Sequence, residues 1–287
     1  MIDVHSSPIP TDVRFYFSSS SRILYANADS LSKASPYFKG MFDSGFTECV
    51  LHDGEEAQKK GEEKDSDDSD SDDDTAGSKQ PDKFPASSNR TVEREEEREY
   101  DDSDDETDDF TSEQPDPLPV TLNRPFRRIK VDSKAYTTYR AVLCYMQTGV
   151  IAFAPLRSTF RNLPNSSSVD QRRAALLEFR VDTSHPLPAS PKSIYRLANY
   201  LLLPELASLA LANIKSQLTI ENIAYEVFGD VAFKHEEVGA IMLEFASKNW
   251  KVVGKGRAMK EVKQLANEGK MPYFTEMSSQ LLDKRLA

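Results

Sequence analysis

Cysteine is almost missing from this chain: 287 residues contain two, Cys49 and Cys144, far apart and without a Cys-x-x-Cys pair. That usage argues against a disulfide-stapled secreted scaffold or a zinc ribbon and predicts two reduced thiols. Long apolar runs are missing too. Leu201-Leu202-Leu203 is broken at once by Pro204, whereas a membrane helix needs about 20 consecutive apolar residues. Without an apolar N-terminal run to read as a signal segment, the expectation is an intracellular protein, cytoplasmic or nuclear, with no membrane partner. Histidine is sparse, and His5, His52, His185 and His235 are scattered rather than spaced as converging metal ligands.

What is abundant is negative charge, in one place. Residues 53–119 carry 27 Asp and Glu against 8 Lys and Arg, a net of −19, so a chain of net −11 leaves +8 on everything else. So few apolar residues cannot offset the entropy of ordering that segment, and it reads as a disordered acidic insert. It is either a tolerated surface loop, since closure entropy grows slowly with length, or an arm for basic partner proteins. Ser69, Ser71 and Ser103 each have an acidic residue three positions on and are candidate phosphosites.

Outside the insert, Val13, Phe15 and Phe17 alternate as on a strand, and Ile23-Leu24-Tyr25 is placed to pair with it as a hairpin. A helix is expected over 29–33 and another from Ser35-Pro36, a capping hydroxyl followed by Pro, ending at Gly45. Residues 127–131 read as a strand, Ser133 as the cap of a helix over 134–147 with Tyr139, Val142, Leu143 and Met146 inward, and 150–153 as a short strand. The connection 154–189 holds one amphipathic stretch with Ala174, Leu176, Leu177 and Phe179. Ser190-Pro191 then opens two packed helices, whose second stripe is Leu206, Leu209, Ala210, Ile214 and Leu218. Helices over 220–233, 238–253 and 258–268 follow.

Chemistry finds little foothold. Cys144 lies in an apolar helical stripe beside Leu143, which suits a core residue better than a nucleophile. Cys49 and His52 are the one close Cys/His pair, at a spacing that coincidence explains. Gly254-Lys255-Gly256-Arg257 lacks the glycine pattern of a phosphate loop and reads as a turn between helices. Lys248, Lys251, Lys255, Arg257, Lys260 and Lys263 form a basic stretch, diluted by Glu244, Glu261 and Glu268, with no base-reading motif, so nucleic acid is a poor fit. No catalytic, metal or cofactor site is expected.

In their order, the structured pieces resemble a BTB/POZ domain of the kind common among fungal BTB proteins. Asp12-Val13-Arg14-Phe15 resembles its opening strand. Leu31-Ser32-Lys33-Ala34-Ser35-Pro36-Tyr37-Phe38 resembles its helix pair, with Met41-Phe42 as the continuation. Residues 136–149 are similar to its helix ending in Thr-Gly, and Ser190-Pro191-Lys192-Ser193-Ile194-Tyr195-Arg196-Leu197-Ala198 to its later Leu-Ala helix. The pieces cover 11–51, 125–154 and 190–218, and 219–253 resembles the start of a BACK-like extension.

The resemblance implies an α+β fold: a small, mainly antiparallel sheet flanked by helices over 11–218, interrupted by 53–119 and by a long connection at 155–189. An all-α extension occupies 219–287. It also implies a non-catalytic protein-interaction module, with adaptor to a cullin-type ubiquitin ligase as the leading version. Met146 and Gln147 would face the cullin, and Asn27 and Ala28 would lie at a homodimer interface. The chain departs from the family at both places: Gln147 stands where many cullin-binding members have Tyr, and Asn27-Ala28-Asp29 where a basic residue is common. A nuclear acidic chaperone or transcription-associated regulator, working through the insert, is the alternative.

Overall fold

The computed structural model describes residues 11–18, 22–44, 50–52, 126–161, 168–179 and 185–286. The acidic segment, with Ser69, Ser71 and Ser103, and also Cys49 and Gly45, lies outside the described residues.

The predicted alternation produces β1 (Val13–Phe17), whose Val13, Phe15 and Phe17 are buried. It pairs antiparallel with β2 (Ile23–Ala26). Asn27 then ends the strand and caps α1 (Ala28–Ala34), its side-chain oxygen accepting from the Ser30 amide. α2 (Pro36–Asp43) follows, with Ser35 as cap and Pro36 at its first position.

The sheet is mainly antiparallel, as expected, but it has a fourth strand and one parallel pairing that were not. Four strands are ordered β2-β1-β4-β3, where β3 is Val50–His52 and β4 is Phe126–Val131. The central pair, β1 and β4, is parallel, with Phe15 opposite Ile129, and β3 joins β4 antiparallel. Strand β3 escapes sequence reading because three residues are too few to show a period. The direction of the β1–β4 pairing is a long-range property that alternation does not encode.

Beneath the inward face of β1 lies an aromatic cluster. Phe15 meets Phe38 of α2 at 5.9 Å and Tyr139 at 5.3 Å, and Phe17 meets Tyr136 at 5.4 Å. Each such side chain contributes about 1.5–3 kcal/mol by burial, and the edge-to-face contacts add to that. Tyr136 and Tyr139 belong to α3 (Tyr136–Thr148), which stops at Gly149 with φ +71°. Cys144 is buried there, as a core residue should be.

Ser133 does not cap α3: its φ is +56°, it sits in the turn ahead of the helix, and Ala135 takes the cap position without a side-chain bond. Residues 150–153 form no strand but a single bridge, Phe153 to Ala189.

Arg157–Phe160 makes a 3₁₀ turn that the sequence reading missed, followed by α4 (Ser168–Glu178). On α4 only Leu176 of the expected stripe is buried; Leu177 and Phe179 are more than half exposed. α5 (Pro191–Tyr200) and α6 (Pro204–Ser216) pack closely, and both begin with Pro. Leu206, Ala210, Ile214 and Leu218 are buried as expected, whereas Leu209 is exposed.

The helix expected over 220–233 is two short ones, α7 (Ile223–Val227) and α8 (Asp230–Lys234), broken at Phe228-Gly229. α9 (Glu236–Val253) packs on both, α10 (Arg257–Asn267) follows the Gly254–Gly256 turn, and α11 (Phe274–Leu286) adds a helix absent from the sequence reading. One buried apolar cluster runs continuously from Val13 to Leu281. No helix among the described residues is long and apolar enough to cross a membrane.

Candidate interaction surfaces

The positions implied by the resemblance fall in different settings. Met146 and Gln147 end α3, Met146 partly buried and Gln147 exposed, next to Thr148 and an exposed Val150. The Thr148 hydroxyl turns back to the Cys144 carbonyl and accepts from the Val150 amide, which fixes this end of the helix. Asn27 is half-buried and occupied as a helix cap, while Ala28 is buried, its amide donating to Asp12 Oδ1. The two edges of the sheet are β2 and β3.

A further surface, not singled out by sequence, forms where α5 turns into α6. The Leu202 amide donates to the Asn199 carbonyl at 3.2 Å and the Leu203 amide to Ala198 at 2.8 Å, the paired bonds of a Schellman stop. The position just past the cap in such a stop needs a left-handed backbone and usually holds Gly. Here it holds Leu202, with φ +56° and 53% exposed. A side chain there costs about 1–2 kcal/mol of backbone strain and recovers little by burial.

Tyr200 lies beside it, half exposed, its ring 4.8 Å from that of Tyr37 and the two phenol oxygens 2.6 Å apart. Lys134 Nζ stands 5.8 Å from the centre of the Tyr200 ring. The corner is anchored from below: buried Ser35 donates its hydroxyl to the Leu201 carbonyl at 2.6 Å while accepting from the Phe38 amide. One serine thus ends α1, caps α2 and fastens both to the α5–α6 turn. The sequence showed only a short Leu run broken by Pro204, and the sign of φ at Leu202 could not be read from it.

Under this corner, Tyr139 is held neutral far into alkali, first by burial and then by the neighbouring phenols of Tyr37 and Tyr200. Burial, followed by donation to Glu237, also raises Tyr195, and burial with donation to Glu261 pushes Tyr225 up to about 12. Groups raised in the folded state add stability that is complete below the ordinary phenol value of 10.0 and is lost as pH climbs through the folded values. The urea midpoint should therefore hold to about pH 10 and fall steadily toward pH 12. A midpoint flat across that window would contradict the burial of these three rings.

Among the described residues no group of three or more His, Cys, Asp or Glu is placed to hold a metal ion. The basic stretch of α9 and α10 is neutralised in part by its own helices, with Lys248 on Glu244 at 2.6 Å and Arg257 on Glu261 at 2.7 Å. No family model matches the chain, and no curated protein matches it either.

Proposed function

We propose that the chain is a non-catalytic protein-interaction module of BTB/POZ type that assembles complexes through its exposed helix ends and strand edges, as an adaptor to a cullin-type ubiquitin-ligase scaffold. The observation that carries the interaction reading is the Tyr37–Tyr200–Leu202 corner. A strained backbone that displays a leucine to solvent beside two aromatic rings weakens the isolated chain and gains nothing unless a partner covers it. The cullin assignment rests on the sequence resemblance, with the exposed α3 end at Met146 and Gln147 as its contact.

Leu202→Gly separates the two costs. Glycine relieves the left-handed strain, so the variant should be more stable by about 1 kcal/mol in urea unfolding. The same change should weaken partner capture about fivefold or more, the scale of a hot-spot truncation. Gain of stability with unchanged capture would leave the corner a structural oddity.

The adaptor reading is tested by capture from cell extract with full-length protein and a deletion of 55–118, at low and moderate salt. A cullin recovered by both, and lost on Met146→Glu, supports it. Recovery of basic proteins alone, by the full-length chain and at low salt only, would transfer the function to the acidic segment, whose net −19 makes it the second reading.

A further inference from the structure

The aromatic cluster lies under one face of the sheet, and the positions that alternate to the other face of its central strands are basic. In the parallel β1–β4 pair, Arg14 lies opposite Arg128 and Tyr16 opposite Lys130. With Phe126, these residues alternate away from buried Val13, Phe15, Phe17, Ile129 and Val131. Three of those five outward positions hold a cation and none holds a carboxylate. Arg128 and Lys130 are exposed, and Arg14 is half-buried.

Like charges placed directly opposite each other on a sheet repel, so the Arg14–Arg128 pairing weakens the β1–β4 contact unless an anion joins it. Each guanidinium lies on a ring: Arg14 is 3.5 Å from the centre of Phe126, and Arg128 is 4.3 Å from that of Tyr16. A ring engages the flat face of a guanidinium, whereas its N–H groups point outward in the plane, toward any acceptor beside it. The acidic residues at the strand ends do little for the pair. Asp12 accepts from the Ala28 amide, and Asp132 meets Lys130 at 3.1 Å with both side chains more than half exposed, a contact that exchanges readily.

The chain carries the complementary charge itself, and carries it at this sheet. Residues 53–119 hold a net −19 against +8 on the remainder. They lie between β3 and β4, after His52 and before Phe126, which are backbone partners in the same sheet. The acidic runs 62–74 and 93–109 begin and end about 10 and about 17 residues from those anchors. Ten extended residues span about 33 Å, and four strands are only about 15 Å across, so both runs reach the face. Attachment at both ends keeps the carboxylates near it at an effective concentration on the order of millimolar, where contacts that are weak one by one become populated together. The basic stretch of α9 and α10 is a poorer seat, because Glu244 and Glu261 already engage Lys248 and Arg257 there.

We propose that the outer face of β1 and β4, at Arg14, Arg128 and Lys130, is a docking surface for the chain's own acidic residues 53–119. The carboxylates accept from the in-plane N–H groups of the two arginines and from the Lys130 ammonium, and so relieve the repulsion across the strand pair. Docked there, the acidic residues are engaged within the chain, and a basic partner must displace them from the sheet before it can bind them. Phosphorylation at Ser69, Ser71 or Ser103 adds about −1.5 to −2 charges per site and tightens the docking. The docking stands independently of which exposed helix end recruits a partner.

The test is zero-length carbodiimide cross-linking of the full chain, which joins Lys130 Nζ to carboxylates in contact with it, read by mass spectrometry of the linked peptides. A mixture of heavy-isotope-labelled and unlabelled chains separates links within one chain from links between copies. At about 0.01 M salt, Lys130 should link to residues 53–119 of its own chain about fivefold more often than exposed Lys260 does. That excess should vanish at about 1 M, where the screening length has fallen from about 30 Å to about 3 Å. Arg14→Gln and Arg128→Gln leave Lys130 in place as the reporter; each should cut its yield about threefold or more, while Lys251→Gln should leave it unchanged.

Links from Lys130 confined to Asp132, links spread evenly over the exposed lysines, or links formed only between labelled and unlabelled chains would overturn the proposal. So would nucleic acid retained by the purified chain, seen in its ultraviolet absorbance, and lost in Arg128→Gln, because the face would then belong to a different polyanion.

Discussion

Lys192→Met should cost the chain about 3–5 kcal/mol of unfolding free energy. Lys192 is in the first turn of α5 and Glu226 on α7, and their side chains are 6% and 4% exposed. Removing the lysine leaves a carboxylate in a setting that water barely reaches, and the loss is dominated by that stranded charge rather than by the attraction forgone. Replacing both, as Lys192→Met with Glu226→Leu, should restore most of the loss or exceed the parent, because two well-packed apolar side chains avoid the desolvation that the pair must overcome.

Urea unfolding of the parent, both single variants and the double variant closes the cycle. A single-variant loss under about 1 kcal/mol would mean that Glu226 is held chiefly by its other contacts. The pair lies across the expected boundary at residue 218, so its coupling energy also measures how firmly the two regions are joined.

Gly239→Ala should be nearly as damaging, and in the direction opposite to helix propensity. Within a helix, Gly to Ala is worth up to about 1 kcal/mol of stabilisation. At Gly239, in the first turn of α9, an added methyl would run into the Ala232 carbonyl oxygen of α8, well inside van der Waals contact. The obstacle is backbone, not a side chain that can swing away, so α8 or α9 must shift and about 3 kcal/mol is expected to be lost.

Gly40 of α2 provides the contrast: an added methyl there meets nothing within 4 Å. Gly40→Ala should stabilise by about 0.5–1 kcal/mol. Thermal melts of the two variants, read against the parent, should shift in opposite senses; matching shifts would remove the close α8–α9 approach as the reason for the glycine.

What could be read from the sequence was what short-range physics controls. The alternation in β1, the Ser35-Pro36 start of α2 and the Thr-Gly stop of α3 are local events between neighbouring residues, and each formed as expected. Failures came where tertiary context decided. Ser133 had the chemistry of a cap but a left-handed φ that turns it out of the cap position. Residues 150–153 had strand composition, yet only Phe153 found a partner.

The same division explains the surfaces. Met146 and Gln147 could be named through a resemblance, while the Leu202 corner depended on a dihedral angle and on a serine 166 residues away. The buried Lys192–Glu226 pair joins side chains from two helices, and no sequence window announces it. The expected basic stretch drew attention to Arg257 and Lys260, whereas the buried cation is Lys192, paired with Glu226.

The pairing of His52 with Phe126 has a consequence for how such a chain can change over time. Antiparallel partners sit about 5 Å apart, so residues 52 and 126 are direct neighbours in the sheet, on the edge strand and the one beside it. A flexible connection between two such positions adds only about 0.6 kcal/mol of closure entropy each time its length doubles. The two positions are therefore placed so that a flexible connection between them can lengthen at little cost to the sheet and its aromatic underside.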